Sequence, residues 1–255
     1  MIHNLVFAGG QIKGLAYIGA LKILEESNII KNIKTILGVS SGAIFGLLVF
    51  LGTSYNQLVN IAFKVCTYEN IRTNKKFDIS DIIDFYGIES GENIIKIIRV
   101  ILEKKTCRQN CSFTDLAEIY PEKKMVIVGM NISKNKLEYF SKETTPDMKI
   151  LEAIRISISI PLVFTKQEYK NDIYVDGGIG CNIPIDYFKD TLDNTLCFCI
   201  SSPNYLTDID SFESYISRVF RILMDNIDRY IIERYKDNII EILVDYDYFN
   251  INLSE

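Results

Sequence analysis

Gly38-Val39-Ser40-Ser41-Gly42 sets a serine between two glycines, the G-x-S-x-G arrangement in which a hydroxyl projects from a sharp strand-to-helix turn. Such a hydroxyl attacks a carbonyl only if a base takes its proton, and the chain has one histidine, His3. His3 precedes the first apolar strand, so it should lie at the far end of the sheet from any turn that follows that strand. A Ser-His-Asp triad therefore lacks its histidine, and the remaining serine bases are lysine, an N-terminal amine or a carboxylate. Asp176 in "YVDGGIGCNIP" offers the carboxylate. It follows a short apolar strand and precedes Gly177-Gly178, a bend that would hold it at a strand end. Taken alone, an Asp-Gly pair is more commonly a solvated turn.

A second glycine turn, "AGGQIKG" (Ala8 to Gly14), comes earlier in the chain. Backbone N–H groups there can face an anion, which is either a bound phosphate or the oxyanion of an attacked carbonyl. The phosphate reading fits poorly. The stretch is neither G-x-x-x-x-G-K-[ST] nor G-x-G-x-x-G, because Gln11 takes the second glycine position of the latter, and no acidic residue for a ribose follows a second strand. If this turn and the Ser40 turn end adjacent parallel strands, they sit side by side at one sheet edge, which favours the oxyanion role. Lys13 orients the loop, meets an anionic head group, or is simply solvated; the residues alone leave these open.

Hydrophobic periodicity supplies the elements that must position these turns. Leu5–Ala8 and Thr35–Val39 read as strands, and Leu15, Ile18, Leu21 and Leu24 recur at helical spacing between them. Ser41–Phe50 is an apolar helix. Further helices are expected over Asn56–Tyr68, Ser80–Tyr86, Glu92–Lys105, Asp147–Ser157 and Asp210–Tyr235, with strands at Lys124–Asn131, Leu137–Ser141, Ile173–Val175, Thr195–Ser201 and Ile239–Val244. Strand, glycine turn, helix, strand, serine turn, helix is the order of an α/β fold, a mostly parallel central sheet flanked by helices in three layers. With no internal repeat, linker or low-complexity block in 255 residues, one domain spanning 1–255 is expected.

Bulk properties narrow the partners. Hydrophobic residues make up 48% and charged residues 24%, with a net charge of −5. That balance opposes nucleic-acid binding, which needs a concentrated basic face. Six cysteines form no C-x-x-C pair and have no histidines at metal spacing, so reduced thiols and no metal are expected. The start "MIHNLVFAGGQIKG" lacks a signal-peptide pattern, and the most apolar run, Ala43–Leu51, is far short of the roughly 20 residues that span a bilayer. A cytoplasmic location, in its own or a host cell, is the expectation.

With the turns assembled, the chain resembles the patatin-like phospholipases. In order it carries "GGQIKGLAYIGAL", "GVSSG", "AIRISISIPLVF" (Ala153–Phe164) and "DGG", followed by Asn182 and Pro184 in "CNIP". The likeness runs over about residues 5 to 190. It implies a Ser-Asp dyad on an α/β sheet, with Ser40 as nucleophile, Asp176 as base, and the N–H groups around Gly9, Gly10 and Gln11 as the oxyanion hole. Lys13, Gly14, Gly38, Gly42, Gly177, Gly178 and Asn182 match supporting motif positions. Gln11 departs from the pattern, since the family usually has a third glycine there; glutamine is strained wherever positive φ is needed.

The implied activity is hydrolysis of fatty-acyl esters through an acyl-enzyme, with phospholipid or another acyl-ester lipid as substrate and no cofactor. An Asp base near ~3.9, against ~6.5 for imidazole, predicts hydrolysis persisting at acid pH unless burial raises the carboxyl. Transient peripheral contact with a membrane is expected, although burial in the core is favoured over membrane contact for the apolar faces of Glu92–Lys105 and of Ile222, Ile227, Ile231 and Ile232. The alternative reading is a catalytically inactive lipid-binding or interaction protein on the same scaffold, with Gln11 as its motive. A nucleotide binder is weaker, because it leaves Ser40 and Asp176 without a task.

Overall fold

A computed structural model describes residues 1–65, 85–202, 209 and 212–244. Its strands are β1 (Asn4–Phe7), β2 (Thr35–Val39), β3 (Gly87–Glu89), β4 (Lys124–Asn131), β5 (Lys136–Phe140), β6 (Leu162–Phe164), β7 (Gln167–Tyr169), β8 (Asp172–Asp176), β9 (Thr195–Ser201) and β10 (Ile239–Leu243). The helices are α1 (Tyr17–Glu26), α2 (Ser41–Phe50), α3 (Tyr55–Val65), α4 (Glu92–Thr106), α5 (Phe113–Ile119), α6 (Ile150–Ser157) and α7 (Phe212–Arg234).

Alternation along the strands creates two apolar cores, one on each face of the sheet. Leu5, Phe7, Ile36, Met125, Ile127 and Phe198 point to one face, where side chains of α1 to α6 cover them. Val6, Leu37, Val39, Val126, Val128, Cys197 and Cys199 point to the other, under Ile231 and Tyr235 and the 183–188 turn. The expected three layers follow from this two-sided burial. Helix α2 is apolar all round and buried along nearly its whole length, because it lies between the sheet and the outer helices.

The main sheet has eight strands in the order β10-β9-β1-β2-β4-β8-β7, with β5 also on β4. From β10 to β4 every pairing is parallel, whereas β4–β5, β4–β8 and β7–β8 are antiparallel. The sheet is thus mixed, parallel in its larger part. Strand β4 is long enough to serve three partners. β5 pairs with its residues 127–131, β2 with 124–128 and β8 with 129–131. Both β2 and β8 overlap the stretch that β5 occupies, so both lie on the opposite edge of β4, end to end. β2 runs with β4 and β8 runs against it. Their C-termini therefore meet, with Val39 opposite Val128 and Asp176 opposite the adjacent Gly129.

Most expected elements recur within a few residues, and the departures have local causes. The first helix opens as a 3-10 stretch at Gln11–Ala16. Helix α6 begins at Ile150, because the Met148 N–H closes a turn on Thr145 O. Strands β3, β6 and β7 are three residues each, too short for periodicity to register. Helix α5 is an addition to the expected elements, although Ser112 and Asp115 form a capping box at its start. The expected helix Ser80–Tyr86 lies almost wholly outside the described residues, as do the end of Asn56–Tyr68 and the start of Asp210–Tyr235.

Candidate active site

Ser40 directly follows β2 and caps α2 with φ 53° and ψ −126°, a conformation that costs an L-residue about 1–3 kcal/mol and persists only where packing enforces it. The enforcement is visible. A Cβ on Gly42 would lie 2.2 Å from Phe7 O, so the first turn of α2 rests directly on the β1 backbone. A Cβ on Gly38 would stand 2.4 Å from Ala43 Cα. The two glycines of G-x-S-x-G are thus close-approach positions. The buried Ser40 N–H donates to Ser157 Oγ at 2.9 Å, and Ser40 O accepts the Ala43 N–H at 2.9 Å.

Asp176 ends β8 and is 3% exposed. Its N–H donates to Ser159 O at 2.9 Å, and its Oδ1 accepts the Gly178 N–H at 2.7 Å. Oδ2 is buried without a hydrogen-bond partner. Burial pushes the carboxyl up to about 7, against the opposing pull of the Ser40 hydroxyl and the Gly178 N–H. This meets the exception attached to the expected acid tolerance: burial raises the carboxyl towards the range of an imidazole.

The first glycine turn follows β1, whose Phe7 pairs in parallel with Gly38, and it reaches the same edge. A Cβ on Gly9 would lie 3.2 Å from Ser40 Cβ and 2.4 Å from Asn182 Oδ1, so the turn packs against both residues. The Gly10 N–H donates to Ser41 Oγ at 3.0 Å. Of the three amides read as an oxyanion row, the central one is therefore already given to the elbow's second serine. Gln11 has φ 53°, the left-handed value that glycine adopts freely, and it opens a 3-10 stretch. Gly14 packs on Ser41, and a Cβ there would meet its Oγ at 2.7 Å. Lys13 Nζ donates to Ser202 Oγ just past β9, which supports its loop-orienting reading. Gly177 packs on Val128 O, where a Cβ would stand 2.6 Å away. His3 sits at the opposite end of β1, where its carbonyl accepts the Lys34 and Thr35 N–H groups.

Several supporting residues have no individual signal in the sequence. Ser157 and Ser159 come from the "AIRISISIPLVF" stretch, and each grips one of the two strand ends. Their i, i+2 spacing says nothing of that role. Arg155 of the same stretch is buried, donates to Ser159 Oγ at 2.8 Å and to Thr165 Oγ1 at 3.0 Å, and burial lowers it to about 10. Asp228 of α7 accepts the Asn182 Nδ2–H at 2.7 Å. Burial raises its carboxyl to about 6. Among the described residues no group of three potential metal ligands occurs, and no helix is long and apolar enough to cross a membrane.

The model of the patatin-like phospholipase family matches residues 5–189, from β1 through the strand ends just described. The chain belongs to that family. The patatin-like chain is 32% identical over 224 residues to uncharacterized protein R571 of Acanthamoeba polyphaga mimivirus, covering 84% of this chain and 73% of the relative. It is 34% identical over 186 residues to probable lipid hydrolase 463L of Invertebrate iridescent virus 6, covering 72% of this chain and 62% of that protein. In fold it is similar to VipD from Legionella pneumophila, with a TM-score of 0.59, 17% identity, and coverage of 98% of this chain and 63% of VipD. Patatin-like membership supports a lipid-hydrolysing function.

Proposed function

We propose that this protein is a lipid acyl hydrolase, of phospholipase A or lipase/esterase type, working through Ser40 and Asp176. The observation that carries the reading is the abutment of β2 and β8 on one edge of β4, which sets a strained serine against a buried carboxyl with one unpartnered oxygen. In the proposed reaction the Ser40 hydroxyl attacks the ester carbonyl and passes its proton to Asp176 Oδ2. The Gly9 and Gln11 amides of the first glycine turn, with the N-terminal amides of α2, stabilise the tetrahedral oxyanion, the Gly10 amide being held by Ser41. The alkoxide leaves with the proton, and water then releases the acyl group by the same steps in reverse.

A carboxyl near 7 suits this role, since a base is most effective when its pKa lies close to the working pH. Gln11 at φ 53° keeps the turn in the glycine-type conformation, so the departure at this position leaves the reading standing. Mass spectrometry of mixed membrane lipids should show free fatty acid and the matching lysolipid or alcohol with wild type and neither with Ser40→Ala. Labelling of Ser40 by a fluorophosphonate should accompany it. A folded protein whose Ser40 stays unlabelled and whose lipids stay intact would transfer the case to a non-catalytic lipid-binding role on the same scaffold.

A further inference from the structure

The interior behind the glycine turn holds a polar pair that the proposed chemistry leaves unused. Asn182 is 8% exposed and follows the Gly177-Gly178 bend, and Asp228 reaches it from α7, 46 residues later in the chain. The carboxylate is an acceptor only, so it fixes which way the carboxamide of Asn182 faces. Nδ2 is drawn to Asp228 Oδ2 at 2.7 Å, and Oδ1 is turned towards the two glycine segments. An added Cβ would stand 2.4 Å from that oxygen at Gly9 and 3.2 Å from it at Gly178. The carboxamide is therefore wedged between the first glycine turn and the loop that bonds Asp176. Asp228 Oδ1 is buried without a partner, and the carboxylate makes no salt bridge among the described residues. A buried carboxylate with so little compensation costs the fold stability.

We propose that Asp228 is a positioning residue that orients the Asn182 carboxamide and thereby holds the Gly9 turn and the Asp176 loop in register with Ser40. Helix α7 thus takes part in setting the site. Its inner face carries Met224, whose Cε lies 3.2 Å from a Cβ placed on Gly178, together with Asp228 and Ile231, at intervals of four and three residues, and Tyr235 follows just past its end. This inference rests on the reading of Ser40 as the nucleophile.

The test swaps donor and acceptor, with turnover of a short-chain p-nitrophenyl ester as the readout. Asn182→Asp sets carboxylate against carboxylate and should lower kcat about 10- to 100-fold with KM little changed, the scale at which a displaced catalytic turn reduces rate. Adding Asp228→Asn restores a donor–acceptor pair with the roles exchanged, and should return kcat to within about threefold of wild type. Asp228→Ala should lose as much as Asn182→Ala, and the double alanine variant no more than either. The proposal is overturned if the swapped pair is no better than Asn182→Asp, or if folded Asp228→Ala turns over at the wild-type rate. Ser40→Ala separates the two layers. If it remains active, the dyad reading fails; if it is inert while the Asn182 and Asp228 variants are indifferent, only the positioning role fails.

Discussion

Replacing Asp176 with Asn removes the proposed base and, with it, a buried ionisable group whose effect on stability has a definite sign. The carboxyl titrates at about 7 in the fold and near ~3.9 in the unfolded chain. Between those values the native state binds a proton that the unfolded state has lost, so its contribution is fully present below about pH 4 and is lost as pH rises through about 7. At 1.36 kcal/mol per unit, the loss reaches about 4 kcal/mol at pH 8 as an upper bound. The amide introduced by Asp176→Asn does not titrate. The variant should therefore gain on wild type by up to about that amount between pH 4 and pH 8, while hydrolysis falls to background. Urea unfolding of both proteins at intervals across this range measures the difference, and any fixed offset from housing an amide cancels in the pH dependence. Asp228, also raised by burial, is common to both proteins and drops out as well. In wild type the same ionisation should govern rate, with kcat/KM falling about tenfold per pH unit below about 7. A stability difference that stays flat with pH, or an active Asp176→Asn variant, would refute the reasoning.

Two further changes probe the elbow and the glycine turn. Ser157→Ala removes the acceptor of the buried Ser40 N–H, so it should cost about 1–3 kcal/mol in urea unfolding and lower kcat as Ser40 relaxes from its strained conformation. Gln11→Gly relieves a left-handed glutamine, a cost of about 1–2 kcal/mol partly offset by the greater freedom of glycine in the unfolded chain. A net gain of about 0.5–1 kcal/mol, or a rise of a few degrees in Tm with hydrolysis retained, is expected for a chain of this size.

The local chemistry was legible along the chain. Glycines at 38 and 42 permit the Ser40 turn, an apolar strand carries Asp176 to a glycine bend, and period-2 and period-3.6 patterns mark the layers, because each of these depends on near neighbours. The position of Gln11 was equally readable, and its positive φ follows from the turn it occupies. How these pieces meet is a matter of tertiary packing. Nothing local to β8 says that it runs against β4 on the edge β2 already uses, yet that placement is what brings residues 40 and 176 together. Ser157, Ser159 and Asp228 act across separations of 117, 17 and 46 residues, where spacing along the chain carries no information about proximity. The raised pKa of Asp176 belongs to the same class. A carboxyl near ~3.9 in water becomes one near 7 only because packing on all sides excludes the solvent that would stabilise its charge.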